Sequence, residues 1–253
     1  EFRRVLFRSY LVGGAQSSAR DLELVRPFLA DESPKVRRAG IRSLVNFENT
    51  ALKEALALLV GLEWGADLLM GEAVCDVLHS KYGLDPAALT DSQIDILLAR
   101  IEGLHSLEGR SHDVFQFLGF ASERRPRQTV EMLLRRVQAA DKHSGSRGAD
   151  RWTPIPYHGH GLSLPGILQS PDALALARLI RDATPEAGPL VRFWLPTLFA
   201  LVVPDLKVAT TVLREWLPSG DGNKLIAAGT LLRGYEHGTV FALSDFIADL
   251  LDA

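Results

Sequence analysis

From residue 20 onward the apolar positions recur every three or four residues, and no stretch alternates with period two for long enough to form a strand. This spacing predicts an all-α chain. The clearest unit is DLELVRPFLADESPKVRRAGIRSLVNF, residues 21–47. Its first helix places Leu22, Val25, Phe28 and Leu29 on one face. The DESP turn then offers Ser33 as a cap and Pro34 as the opening residue of a second helix, which carries Val36, Gly40, Ser43, Leu44 and Phe47 at spacings of three and four.

The same spacing marks out the later helices. Residues 51–60 and 66–82 form a second pair that stops at Gly83, and Thr90 with Gln93 forms a capping box ahead of Ile94, Leu97, Leu98 and Ile101. Residues 112–124 and 126–141 come next, broken at Pro126, with Val130, Leu133, Leu134 and Val137 as a buried stripe. The periodicity lapses over 142–165. It resumes at Ser170-Pro171, read as another cap and proline start, and predicts helices near 171–183, 188–203, 205–217, 221–235 and 239–252. Helices this short bury one face each, so every pair needs a neighbour, and stacked pairs present an extended surface.

An apolar helix, Asp31 in the turn, Val36-Arg37, then small residues and Leu44 resemble the HEAT repeat, the helical hairpin of many α-solenoids. In that family the turn aspartate and the arginine of the second helix tie neighbouring repeats together, and Asp31 and Arg37 stand at those positions. The motif covers about a tenth of the chain. The resemblance implies a right-handed α-solenoid of antiparallel helix pairs, with residues 10–141 as one run of pairs, 142–165 as a long loop and 166–253 continuing the same solenoid. The stretch RFWLPTLFALVVPDLKVATTVLREWLPSGDGNKLIAAGTLLRG is similar to the degenerate helical repeats that follow the nucleotide-switch domain of large bacterial signalling or defence ATPases. That likeness implies a scaffold within a larger bacterial protein whose catalysis lies elsewhere, and it carries no functional residue across.

Composition narrows the classes. With 47% hydrophobic and 23% charged residues the 253-residue chain has material for a real core. A net charge of -3 gives no general attraction to nucleic acid or anionic lipid. The apolar run FWLPTLFALVVP, residues 193–204, is roughly half the ~20 residues needed to span a bilayer and reads as a buried helix. Cys75 is the only cysteine, in an apolar helical setting, which suits a reduced thiol and a cytoplasmic compartment.

Candidate chemistry concentrates between residues 124 and 166. In WTPIPYHGHGLSLPG, His158 and His160 stand two apart and can reach one metal ion if the segment is extended. Zinc needs a third protein ligand, and His112, Asp141, His143 and Asp150 follow no metal-site spacing. Gly159 and Gly161 leave the backbone pliable. The expectation is therefore a connector with no metal or other cofactor, anchored by Trp152 and Tyr157. Eight cations against three carboxylates over 124–151 give a local balance of +5, with Arg124, Arg125, Arg127, Arg147 and Arg151 as potential phosphate contacts. The Glu131 to Arg135 spacing accounts for part of that charge as a solvated helix face. Some HEAT-like proteins are DNA glycosylases acting on alkylated bases, which would imply a basic concave face with aromatic residues. Trp194 and Trp216 instead read as core.

The expected function is thus a non-catalytic scaffold that binds a protein or another domain of its parent chain, with no membrane association. A nucleic-acid-binding solenoid is the alternative, and a metal-dependent enzyme at His158 and His160 comes third. Residues 1–9, EFRRVLFRS, do not share the helical pattern of the later residues, and Glu1-Phe2 is what the cloning hexamer GAATTC encodes. They read as adapter sequence joined to an internal fragment, and the apolar run of Phe246, Ile247, Leu250 and Leu251 near the other end fits a fragment too. Deleting residues 1–9 is expected to leave the melting temperature unchanged. An appreciable fall in a thermal scan would show that they belong to the fold.

Overall fold

The computed structural model describes residues 21–79, 83–107, 111–143, 145, 152–156, 161–235 and 244–252. Among the described residues every regular element is helical, and the one β pairing is an isolated parallel bridge between Ser106 and Thr153. The α-helices are α1 (Leu22–Leu29), α2 (Pro34–Ser43), α3 (Leu52–Gly61), α4 (Leu68–His79), α5 (Asp91–Glu102), α6 (His112–Arg124), α7 (Pro126–Gln138), α8 (Pro165–Gln169), α9 (Ala173–Asp182), α10 (Pro189–Val202), α11 (Leu206–Arg214), α12 (Gly222–Leu232) and α13 (Ser244–Asp252). The chain divides into two compact units. Unit 1 takes Glu1–Leu104 and Arg110–Phe117, and unit 2 takes His105–Gly109 and Leu118–Ala253.

In unit 1, α1 packs on α2, α2 on α4, and α3 on α5. Leu22, Val25 and Leu29 form the buried stripe of α1, and each such side chain contributes about 1.5–3 kcal/mol on leaving water. The small residue at 40 allows this contact, because a Cβ there would lie 3.0 Å from Phe28 Cβ. Asp31 stands in the α1–α2 turn, where its Oδ1 accepts from Ser33 N at 2.8 Å. Arg37, in the first turn of α2, donates to the carbonyls of Asp31 (2.7 Å) and Glu32 (2.9 Å). Both residues therefore hold their own turn. Pro34 opens α2 as expected, but Ser33 makes no side-chain cap, since Asp31 satisfies the turn instead. At α5 the capping box is complete: Gln93 N donates to Thr90 Oγ1 at 3.3 Å and Thr90 N to Gln93 Oε1 at 2.9 Å.

In unit 2, α10 packs on α7, α9 and α12, and α9 on α11. The run 193–204 is helical over most of its length as expected, burying Trp194, Leu195, Leu198, Phe199 and Val202, although Phe193 points outward. Trp216 is buried as well. The start expected at Ser170-Pro171 falls later: Ser170 Oγ accepts from Asp172 N in a turn, and α9 begins at Ala173 without a side-chain cap. The short helix α8 begins at the end of the stretch where the periodicity lapses. Two glycines permit close backbone contact. A Cβ at Gly166 would lie 2.2 Å from Ser122 O and Glu123 Cα, and one at Gly234 would lie 2.0 Å from Pro196 O. Beside Gly234, the Tyr235 hydroxyl donates to Val203 O. The last helix, α13, is held by buried Phe246 and by Arg214, which donates to Asp249 at 2.9 Å.

Gly234→Ala is expected to destabilise by about 1–3 kcal/mol, because the new methyl must displace the Pro196 carbonyl. Gly61→Ala, where nothing lies within 4 Å of the added Cβ, should gain about 0.4–1 kcal/mol. Urea denaturation of the two variants checks both signs, and equal behaviour would contradict the packing described.

Candidate functional site

The segment singled out in the sequence is described only in part. Tyr157, His158 and His160 lie outside the described residues, as do Arg147 and Arg151. Among the described residues no group of three His, Cys, Asp or Glu side chains could hold a metal ion. Among them, too, no helix is long and apolar enough to cross a membrane.

What is described is the anchoring of residues 152–156. Trp152 is half-buried, and its indole N–H donates to Arg136 O at 3.3 Å. The His143 ring stacks on the indole at 4.2 Å between centroids with 11° between planes, while His105 meets it edge-on at 5.9 Å. The Arg136 guanidinium lies 4.6 Å from the indole centroid. Arg136 is only 1% exposed. Its donors go to Pro154 O (2.8 Å) and Thr153 O (3.3 Å), and Thr153 O also accepts from Leu107 N at 2.9 Å. A permanent cation can be buried here because its charge meets carbonyl dipoles and an aromatic face. Counted by sequence among the basic residues of 124–151, Arg136 is in fact an interior strut.

The start of this loop is fixed by a long-range cap. Asp141 Oδ1 accepts from Leu190 N at 2.9 Å, at the start of α10. A carboxylate there satisfies an orphan N–H and meets the positive end of the helix dipole. Gly188, the N-cap residue, makes room for it, since a Cβ at 188 would lie 2.0 Å from Asp141 Oδ2.

The basic residues that are described lie at the α6–α7 junction. Arg124 and Arg127 are exposed and Arg125 is half-buried. Arg127 pairs with Glu131 at 2.9 Å, one turn along α7, and that carboxylate keeps the guanidinium firmly charged. Arg135 is also exposed.

Two further clusters are not visible in the sequence. In unit 2, Arg178 grips Glu215 in a bidentate pair, with Nη2 to Oε1 at 2.6 Å and Nε to Oε2 at 3.0 Å. Arg181 donates to the same carboxylate at 2.6 Å and to Val212 O at 2.7 Å, with its guanidinium 4.9 Å from the Trp216 ring centroid. The bonds from Arg178, then those from Arg181, hold the Glu215 carboxyl down to about 2, outweighing the opposing effect of its partial burial. In unit 1, Asp113 is raised by burial and then by the neighbouring Asp76, partly offset by His112 and Arg42. Beside them Cys75 is buried, and its thiol is pushed well up by that burial and by Asp113, Glu72 and Asp76. This thiol stays protonated at neutral pH, the opposite of what a nucleophile requires.

One surface is apolar and yet open to water. Besides its buried face, α10 carries Leu190, Phe193, Thr197 and Leu201 at spacings of three, four and four. Leu190 is 38% exposed and Phe193 52%, while Thr197 and Leu201 are half-buried. Phe193 meets the Trp194 ring edge-on at 5.1 Å and still keeps half of its surface in water. Apart from one threonine this second side is as apolar as the first. The clue in the sequence is the long apolar run itself, which reads wholly as core when only its length and composition are weighed.

Comparison with known protein families, with curated proteins and with solved structures finds no match.

Trp152→Ala is expected to cost about 2–4 kcal/mol in chemical denaturation, since it removes the surface on which His143 and Arg136 rest. A variant as stable as the parent would show that the loop is held elsewhere.

The two carboxylates predict opposite pH effects. Glu215 sits below its ordinary value of 4.5, so its network contributes stability that is present above that pH and lost as pH falls toward about 2. Glu215→Gln should flatten acid unfolding in that window. Asp113 is raised above its ordinary 3.8, so its ionisation costs stability as pH rises. Asp113→Asn should stabilise near pH 7, with the gain vanishing below about pH 3.8; melting curves across pH 2–8 separate the two.

Proposed function

We propose that this chain is a non-catalytic helical-repeat scaffold, a HEAT-like right-handed α-solenoid of antiparallel helix pairs that holds a protein partner or another domain of its parent chain. Two lines support the repeat reading. Packing of a helix on the next but one, seen for α2 on α4 and α3 on α5 in unit 1 and for α9 on α11 and α10 on α12 in unit 2, is the pattern expected of stacked pairs. The α1–α2 hairpin with Asp31 in its turn and Arg37 at the start of its second helix has the form of the HEAT unit.

The observation that carries the binding reading is the second apolar side of α10. A helix apolar on two sides belongs in an interior, and a side showing Leu190 and Phe193 to water is suited to a surface covered by another protein. The buried Cys75 fits a reducing, cytoplasmic setting, and a larger bacterial ATPase is the proposed parent. The nucleic-acid alternative draws on Arg124 and Arg127, yet Arg127 is committed to Glu131 and Arg136 to the interior.

The two readings separate experimentally. Wild type and a Leu190→Glu/Phe193→Glu variant, matched for melting temperature, are compared by cross-linking and pull-down with partners identified by mass spectrometry. One partner held in fixed stoichiometry by the wild type and lost by the variant is expected; identical partner sets would sink the reading. Titration with duplex and single-stranded oligonucleotides at about 50 mM salt is expected to show no binding. Binding that weakens linearly in a log–log salt plot, and further on Arg124→Ala/Arg127→Ala substitution, would favour the alternative. Stoichiometric zinc lost on replacing His158 and His160 would instead revive the metal-site reading.

A further inference from the structure

We draw no further inference here: the strongest candidate, the open, largely apolar groove of about 460 Å³ in unit 1 lined by Arg26 and Leu29 of α1, by Ala30 just past it and by Ala57, Leu58 and Gly61 of α3, is an unpartnered surface, and nothing in the structure shows what covers it.

Discussion

The recurring interaction is an arginine donating to backbone carbonyls where a helix or connector ends. A fold of short helices has many such ends, and each helix leaves up to four carbonyls without an intrahelical partner. Arg37 reaches the carbonyls of Asp31 and Glu32 just past α1, and Arg100 reaches Leu62 O just past α3 while pairing with Glu63. Arg181 reaches Val212 O in the last turn of α11, and Arg136 does the same for the loop carbonyls of Thr153 and Pro154. The guanidinium suits this task because it cannot deprotonate and presents five donors in a fixed plane. A hydrogen bond to a charged group contributes about 1.5–3 kcal/mol, enough to matter against a typical total of about 5–15. A cation also complements the negative end of the helix dipole.

This explains what the sequence disclosed and what it concealed. The helices were legible because amphipathic spacing is local, and the predicted ranges for α6 and α10 fall within a residue or two of those observed. The capping box at Thr90 was legible for the same reason, since both partners lie within three residues. Ser33 and Ser170 misled because an N-cap depends on competing local acceptors as well as residue type. Asp31 satisfied one turn, and at the other the chain took an extra turn before α9 began. The Asp141 cap was out of reach, since it joins residues 49 apart. Arg136 entered only the charge count, because a sequence shows its charge but not that Trp152, sixteen residues on, would return to cover it. Trp152 stands out in the sequence as a large aromatic in a loop, but its partners Arg136 and His105 lie too far along the chain to be read there.

The α6–α7 region shows why counting charges overstates a binding patch. Of the cations between 124 and 143, Arg136 is interior and Arg127 is neutralised one helical turn away by Glu131. These two residues take part of the local positive balance away from the surface, while Arg124 and Arg135 remain exposed. The same caution applies to apolar runs: α10 reads as core because nearly every position after Arg192 is apolar, yet Leu190 and Phe193 lie away from its buried side.

The positions of Arg136 and Phe193 have one physical source, which bears on function. Side chains of a single type along a helix say nothing about which neighbours close over them. Arg136 is inside because Trp152 supplies a face and the loop supplies acceptors. Phe193 touches Trp194 edge-on and keeps half of its surface in water. An arginine drawn inward has its donors taken up by loop carbonyls, so its position completes the fold. A phenylalanine half in water realises only part of the stabilisation that burial can give, and a neighbour laid over it would supply the rest. The first arrangement is explained within the chain, whereas the second improves on being covered, which is why the binding reading rests on α10 and not on the basic residues.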